Sequence, residues 1–543
     1  MSVALLALCL LGAGPPVEGW HELKSAHFTL RTNLDQEAAM EAAQEIERTW
    51  AALLAALWPP PHEVGIEPVD VIVLKDRADF ERYGAPGSRG LYAHSALPPR
   101  IVLWGAPDSW EEKLIERDPS GLPEARAPIA PQLSGPGHHG GGGYSMAPAS
   151  RPDWSSVQDA EFSAHVGVVS QGSASVLRHE LAHHVAAAVY GRLPLWFSEG
   201  QAQFLESLRL SADGRSATLG LINPMAWLEF RRIRTAGTRD VLSWDMPLSG
   251  LSQGESLGLY GASWQLYQWL FTTQRPALRC FQERLATGEA GASAWPKCFP
   301  SLVPEEVDVT LWEFSRRGQP AVEEVPVPPV GYEVKIRPLT EAETHLVRAQ
   351  VALAAPRSPA LAEEAKREIE LALAADPASV GALQLVAPLV SAQLRLEQAR
   401  RAVASHPEDG WAWLLLGDAL WDSNGPAGER YRAYQRAVQL LPDSPLVLVR
   451  DARNLLSRDD RVEALVLAER AAQLAPWNGE VLTIHALALA AGGRCADGVS
   501  VAKQARRVLS PGHSGLTTGL AVGFSRACPG DSTLDGGSIT SGR

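Results

Sequence analysis

No internal stretch of this 543-residue chain runs apolar for the roughly 18 residues that a membrane-spanning helix needs. No tract of lysine and arginine relieves its formal net charge of −13. The first absence leaves no internal helical span to predict, and the second opposes general nucleic-acid binding, whose affinity comes largely from cations set against phosphates. Cysteine is scarce, at five residues, and none has the close spacing of a structural zinc site. What is present, 45% hydrophobic and 20% charged residues, is ordinary for a soluble globular protein, and the length calls for two or three domains.

The N-terminus is the apolar exception. Val3 to Gly14 has the length of a signal-peptide core, and Val17-Glu18-Gly19 offers small residues around a cleavage point, so residues 1–19 read as a signal peptide. Export to a bacterial-type periplasm or beyond is the expectation, with a cytoplasmic protein as the alternative. Removing the leader leaves Cys280, Cys298, Cys495 and Cys528. Four cysteines allow three connectivities; in an oxidising compartment the sequence-local pairs, Cys280 with Cys298 and Cys495 with Cys528, are expected as disulfides. In the cytoplasmic alternative they are four thiols.

The chemistry concentrates in His179-Glu180-Leu181-Ala182-His183 and, shortly after, Trp196-Phe197-Ser198-Glu199-Gly200. Val176, Leu177, Leu181, Val185 and Val189 recur with helical period, Ser173 or Ser175 can cap the start, and Gly191 can take the left-handed position at the end. Histidines four apart on such a helix share a face and can reach one metal ion, while Glu180, about 100° round, can lean over an open coordination position. Pro194 allows a turn, and Ser198 to Leu205 reads as a returning helix that brings Glu199 back as the natural third ligand. His184 falls off the metal face and reads as packing, and Arg178 as a surface charge.

With both motifs in view, the chain resembles the gluzincin clan of zinc metallopeptidases, in particular peptidase MA-like proteins. The resemblance covers residues 20 to 317, taking in Trp20 to Thr32 as an opening strand and Tyr260-Gly261-Ala262-Ser263-Trp264 as a later helix. It implies that His179, His183 and Glu199 are zinc ligands and that Glu180 is the general base. Some gluzincins also give a downstream tyrosine the role of oxyanion donor, for which Tyr260 is the candidate. The family usually carries an acidic residue four positions beyond the ligand glutamate to orient a ligating histidine; here that position is Gln203, which weakens the expected site.

Around this centre, His27 to Thr32 and Val69 to Leu74 read as strands, Gln36 to Leu57 as a helix, and Gly90 to His94 with Ile101 to Trp104 as a hairpin. Ile101 to Trp104 is the expected edge strand, on which the resembling peptidases add substrate as a further strand. Residues 118–153, rich in Pro, Gly and Ser and containing His138-His139, read as a mobile insertion, and Ala226 to Trp312 as mostly helical. Residues 318–339 read as a Pro-rich linker. Beyond it Pro377, Pro407, Pro442, Pro476 and Pro511 recur at about 34-residue intervals. With Trp413 to Gly417, and then Tyr434, Ala437 and Pro442 at the matching offsets after one inserted residue, residues 340–512 resemble four to five degenerate tetratricopeptide repeats, leaving residues 513–543 as a tail without clear structure.

The expected architecture is therefore α+β: a zincin-like domain of mixed sheet and active-site helices, then an all-α solenoid separable from it. The expected function is zinc-dependent peptide hydrolysis, with a peptide or protein substrate and a protein partner bound by the repeats. The alternative is a weakly active or inactive peptidase-fold scaffold whose repeats bind partners.

Overall fold

A computed structural model describes residues 16–60, 66, 68–83, 90–93, 99–105, 173–191, 193–233, 236–244, 253–317, 320–331, 333–354, 359–509 and 514–528. Residues 1–15 and the expected insertion at 118–153, His138 and His139 included, lie outside them.

The N-terminal elements are β1 (Pro16–Lys24), β2 (Phe28–Thr32), α1 (Gln36–Ala56), β3 (Val69–Leu74), α2 (Arg77–Tyr83), β4 (Gly90–Ala93) and β5 (Arg100–Trp104). Asp35 caps α1 by accepting from the Ala38 amide at 2.9 Å. The strands lie in the order β4-β5-β3-β2-β1, with β2, β3 and β5 parallel and the outer two antiparallel to their neighbours. Alternation assigns the faces. Val69, Val71, Val73, Ile101 and Leu103 join one core with residues of α1, whereas Ile72, Leu74 and Val102 join Trp20 and Phe80 in another. Asp70, the one charge in the wholly buried β3, is neutralised across the sheet by Arg31 and Arg100, each 3.1 Å away, and Arg31 also holds Glu22 at 2.9 Å. The expected edge is displaced by one strand: β5 lies between β3 and β4, because the short connection returns β4 as the outer partner.

A helical layer follows: α3 (Ser173–Tyr190), α4 (Leu195–Glu206), the hairpin β6 (Arg209–Leu210) and β7 (Ser216–Leu219), then α5 (Pro224–Arg232), α6 (Thr238–Leu242), α7 (Gln253–Thr273), α8 (Arg275–Ala286), α9 (Gly291–Cys298) and α10 (Pro304–Arg317). The helix expected from Ser198 starts three residues earlier, directly after Pro194, whose φ of −57° already suits a helix entrance. Trp196, Phe197, Phe281 and Trp295 pack as an aromatic cluster, and Cys280 is bonded to Cys298, joining α8 to α9.

Residues 318–339 do not form a linker. β8 (Glu323–Pro326) pairs with β7, and β9 (Lys335–Thr340) pairs antiparallel with β1 to become the sixth strand of the main sheet. Pro-rich sequence suits this role, since an edge strand can forgo amide donors on its outer side. The chain then enters α11 (Glu341–Ala354), whose Val347 and Val351 close the second sheet face over Trp20, Ile72, Leu74 and Phe80. Thus the first repeat helix is also a layer of the N-terminal fold.

Paired with α11 is α12 (Pro359–Ala375). Further pairs follow: α13 (Val380–Val386) with α14 (Ala392–Ser405), α15 (Gly410–Asp422) with α16 (Ala427–Leu440), α17 (Pro445–Ser457) with α18 (Arg461–Leu474), and α19 (Gly479–Ala491) with α20 (Cys495–Val508). These are stacked helical hairpins of the tetratricopeptide type. Fully buried Ala412, Ala419, Ala433 and Ala437 let the helices approach, and Tyr434 lies directly against Gly417. The supposed tail continues as α21 (Ser514–Ala527), which buries Leu520 and Phe524 against Leu482 and Ala486 and is tied to α20 by the Cys495–Cys528 disulfide. An exposed apolar solenoid end is costly, and this helix covers it.

Candidate metal centre

The site sits where α3 and α4 run side by side. Leu177, Leu181 and Val185 are fully buried and fix which face of α3 points inward. That leaves His179, Glu180 and His183 on a flank that is only partly covered. Gly191 ends α3 with a φ of +71°, the left-handed conformation expected there, and a Cβ on it would stand 2.7 Å from the Trp477 ring. Trp477 lies in the connection between α18 and α19, so the repeat array touches the end of this helix. On α4, Gly200 passes so near α7 that a Cβ would come within 2.6 Å of the Ser263 carbonyl oxygen. A glycine after Glu199 is therefore a packing requirement that sets α4 at its closest approach to α7.

His179, His183 and Glu199 converge so that one ligand atom from each falls within 4.8 Å of the others. His179 Nε2 and His183 Nε2 are 3.1 Å apart, and Glu199 Oε2 lies 3.6 and 3.5 Å from them. Ligands of a tetrahedral zinc with bonds of about 2.0–2.1 Å stand about 3.3 Å apart, which these three edges bracket. Glu199 Oε2 is also buried with no hydrogen-bond partner among the described residues. A buried carboxylate oxygen without a hydrogen bond, set against two imidazole nitrogens, is a donor set that suits a cation.

The other nitrogen of each ring is occupied. His179 Nδ1 lies 3.4 Å from Glu206 Oε2, and His183 Nδ1 lies 3.0 Å from Ser198 Oγ. Asn223 Nδ2 donates to the same Glu206 oxygen at 3.2 Å. Gln203 has no such part: its side chain is buried and Oε1 has no hydrogen-bond partner among the described residues. The orienting acid expected four residues after Glu199 stands instead at seven, one further turn along the same face of α4. The 0, 4, 7 spacing of Glu199, Gln203 and Glu206 is visible in the sequence and could have identified it. Nothing in the sequence singles out Ser198.

Electrostatics follow from burial and proximity. Burial alone would lower the His179 imidazole, but the carboxylates of Glu199 and Glu206 beside it and the charge of Glu180 hold it well above the usual histidine range. Burial alone would raise the Glu199 carboxyl, but His183 and His179 hold it well below the usual carboxylate range. Glu180 is raised, by burial first and the neighbouring carboxylates next, against the opposing pull of the two histidines. Tyr260 on α7 is raised far above the ordinary phenol range by burial and by the charges of Glu199, Glu180 and Glu229, so it stays protonated beside the site. Its ring stands edge-on to Trp244, with centroids 5.9 Å apart.

His184 points away from the centre and tilts against Trp50 at 5.7 Å, as packing. Arg178 is not a surface charge. It is buried, and its Nε donates to the Glu206 backbone carbonyl at 2.8 Å, fastening α3 to the end of α4.

A sequence family described as "Protein of unknown function (DUF1570)" matches residues 173–289, the segment that begins with α3. No curated protein matches this chain. Solved structures with similarity include the crystal structure of MamA protein, at 20% identity over 26% of this chain and 80% of that one, with a TM-score of 0.23. PilF of Pseudomonas aeruginosa is 16% identical over 36% of this chain and 95% of that one, TM-score 0.28. Yeast Tom70 is 11% identical over 65% and 74%, TM-score 0.24.

Proposed function

We propose that the chain is a zinc-dependent peptidase of zincin type whose helical repeats serve as a scaffold for protein interaction. The observation that carries the metal is the convergence of His179 Nε2, His183 Nε2 and Glu199 Oε2 on one point, with both Nδ1 atoms already engaged. Zinc held by two neutral imidazoles and a carboxylate supplies a Lewis acid that brings a water's pKa towards about 7 and polarises a carbonyl. Glu180 is the base: its carboxylate takes the proton as water attacks the scissile carbonyl and returns it to the departing amine. The neutral Tyr260 hydroxyl donates to the oxyanion. Glu206 and Ser198 hold the two imidazoles in the tautomer that leaves each Nε2 unprotonated.

A second reading is favoured by how the repeats are joined to the rest of the fold, through α11 on the sheet and Trp477 on the metal helix. In it the N-terminal fold is a weakly active or inactive scaffold and partner binding is the function. Glu180 discriminates, because a metal held for structure alone has no use for a base beside its open position.

The test is zinc stoichiometry with turnover of an unbiased peptide library. One zinc per chain, lost in His179→Ala, His183→Ala and Glu199→Ala and retained in Glu180→Gln, with turnover abolished in all four, supports the peptidase. Equal turnover by wild type and Glu180→Gln removes the mechanism. Zinc without turnover in the wild type selects the scaffold.

A further inference from the structure

The sheet and the first helix pair enclose a cavity of about 500 Å³ that shares no lining residue with the metal centre. Its inner part is apolar, from the buried Trp20 of β1 and Leu74 of β3, and Leu371 of α12, 42% exposed, carries that surface outward. The rest is charged. Arg82, Arg348 and Arg367 face it against Asp79 and Glu368, three cations to two anions in a chain whose net charge is −13.

Most of these charges are engaged. Glu368 Oε2 lies 2.6 Å from His345 Nδ1, Asp79 accepts from Asn33 Nδ2 at 3.0 Å, and Glu364 pairs with both Arg82 and Arg367. Arg348 differs: it is half-buried on α11, and no ion pair or hydrogen bond to it is found among the described residues. A guanidinium so placed offers a planar fork matched to a carboxylate, beside an aromatic and aliphatic wall. The volume is that of a small-ligand pocket, and its lining is mostly charged, with a small apolar wall formed by Trp20, Leu74 and Leu371.

We propose that this cavity docks a carboxylate-bearing peptide segment of a partner protein, with the acid paired to Arg348 and an adjacent apolar side chain covering Trp20 and Leu371. A free organic acid satisfies the arginine and leaves the apolar wall wet, whereas an acidic residue flanked by an apolar one satisfies both. The proposal rests on the protein-binding reading of the repeats and not on the metal.

Fluorescence polarisation on the full chain tests it, using a labelled hexapeptide of alternating Glu and Leu, its Gln-for-Glu counterpart, and citrate as competitor. The Glu peptide should bind at least about tenfold more tightly than the Gln peptide, with Arg348→Gln weakening it by a similar factor. Leu371→Glu, on an exposed rim that tolerates substitution, should also weaken it by placing a like charge at the entrance. Equal binding of the Glu and Gln peptides, or unchanged binding by both variants, overturns the proposal, as does binding of citrate with the peptide ignored. Zinc content of the same preparations reports separately on the metal reading.

Discussion

Glu206→Gln is the perturbation that weighs most on how the site is built. It keeps the side chain's shape, leaves the Arg178 bond to the Glu206 backbone in place, and removes only the charge facing His179 Nδ1 at 3.4 Å. Loss of such a carboxylate typically weakens metal affinity by about 10–100-fold, or about 1.4–2.7 kcal/mol. The upper part of that range is expected, because the Glu206 side chain is only 12% exposed and water screens the interaction poorly. Gln203→Glu is the control. From the sequence alone it should restore a missing acid and tighten the site. In the structure it adds a buried charge where Oε1 has no partner among the described residues, so it should lower the melting temperature without tightening zinc. Competition against a chromophoric chelator at fixed pH, with circular dichroism to verify folding, measures both variants. Wild-type affinity in Glu206→Gln, together with tighter zinc in Gln203→Glu, would refute the assignment and return the orienting position to 203.

Ending the chain at residue 317 removes Leu339, Val347 and Val351 from over Trp20, Ile72, Leu74, Phe80 and Val102. Uncovering five such side chains forfeits on the order of 10 kcal/mol, comparable with a whole domain's stability, so fragment 20–317 should melt without cooperativity and one ending at 375 should regain it; differential scanning calorimetry decides. Burial raises the Asp451 carboxyl to about 6, opposed by hydrogen bonds from Asn454 and Gln435 and reinforced by Glu463. A folded pKa above the unfolded value stabilises fully at pH below about 4 and is lost as pH rises through about 6, so Asp451→Asn should flatten that dependence and gain up to about 3 kcal/mol at pH 7; denaturant melts at pH 4 and pH 7 check the sign. Reducing Cys495–Cys528, which closes a 33-residue separation, should cost about 3–4 kcal/mol by the chain-entropy account and free α21. Hydrogen exchange around Leu520 and Phe524 should then rise, and unchanged protection there counts against the capping role.

What the sequence made legible was local. The 3.6-residue recurrence of Val176, Leu177, Leu181 and Val185 marked α3, and Gly191 marked its end, because helix periodicity and a left-handed terminus leave their signatures within a few residues. The same holds for β3, whose unbroken apolar run matches its wholly buried strand. The convergence of His179, His183 and Glu199 was legible because two of them share a helix turn and the third follows a short turn. The repeat period was legible because prolines punctuate each hairpin.

The rest depended on partners that sequence distance hides. Pro-rich residues 318–339 look like a linker until β1 is seen to lack an outer neighbour, and Arg337 meets Glu22 across 315 residues of chain. Local composition cannot distinguish an edge strand that closes a distant sheet from a spacer, because proline suits both. Arg178 was misjudged for a related reason. A charged residue on a helix is read as solvated by default, and its burial is decided by the helix packed against it. The same distant closure determines the architecture. Since α11 completes the sheet's second face and also begins the repeat array, the two halves share a structural element, and the boundary that composition suggests near residue 340 falls inside a common core. A substitution such as Val347→Asp is therefore a lesion in both halves at once: it buries a charge against Trp20 and Ile72, and it should cost zinc retention along with repeat stability even though residue 347 is not one of the three candidate ligands.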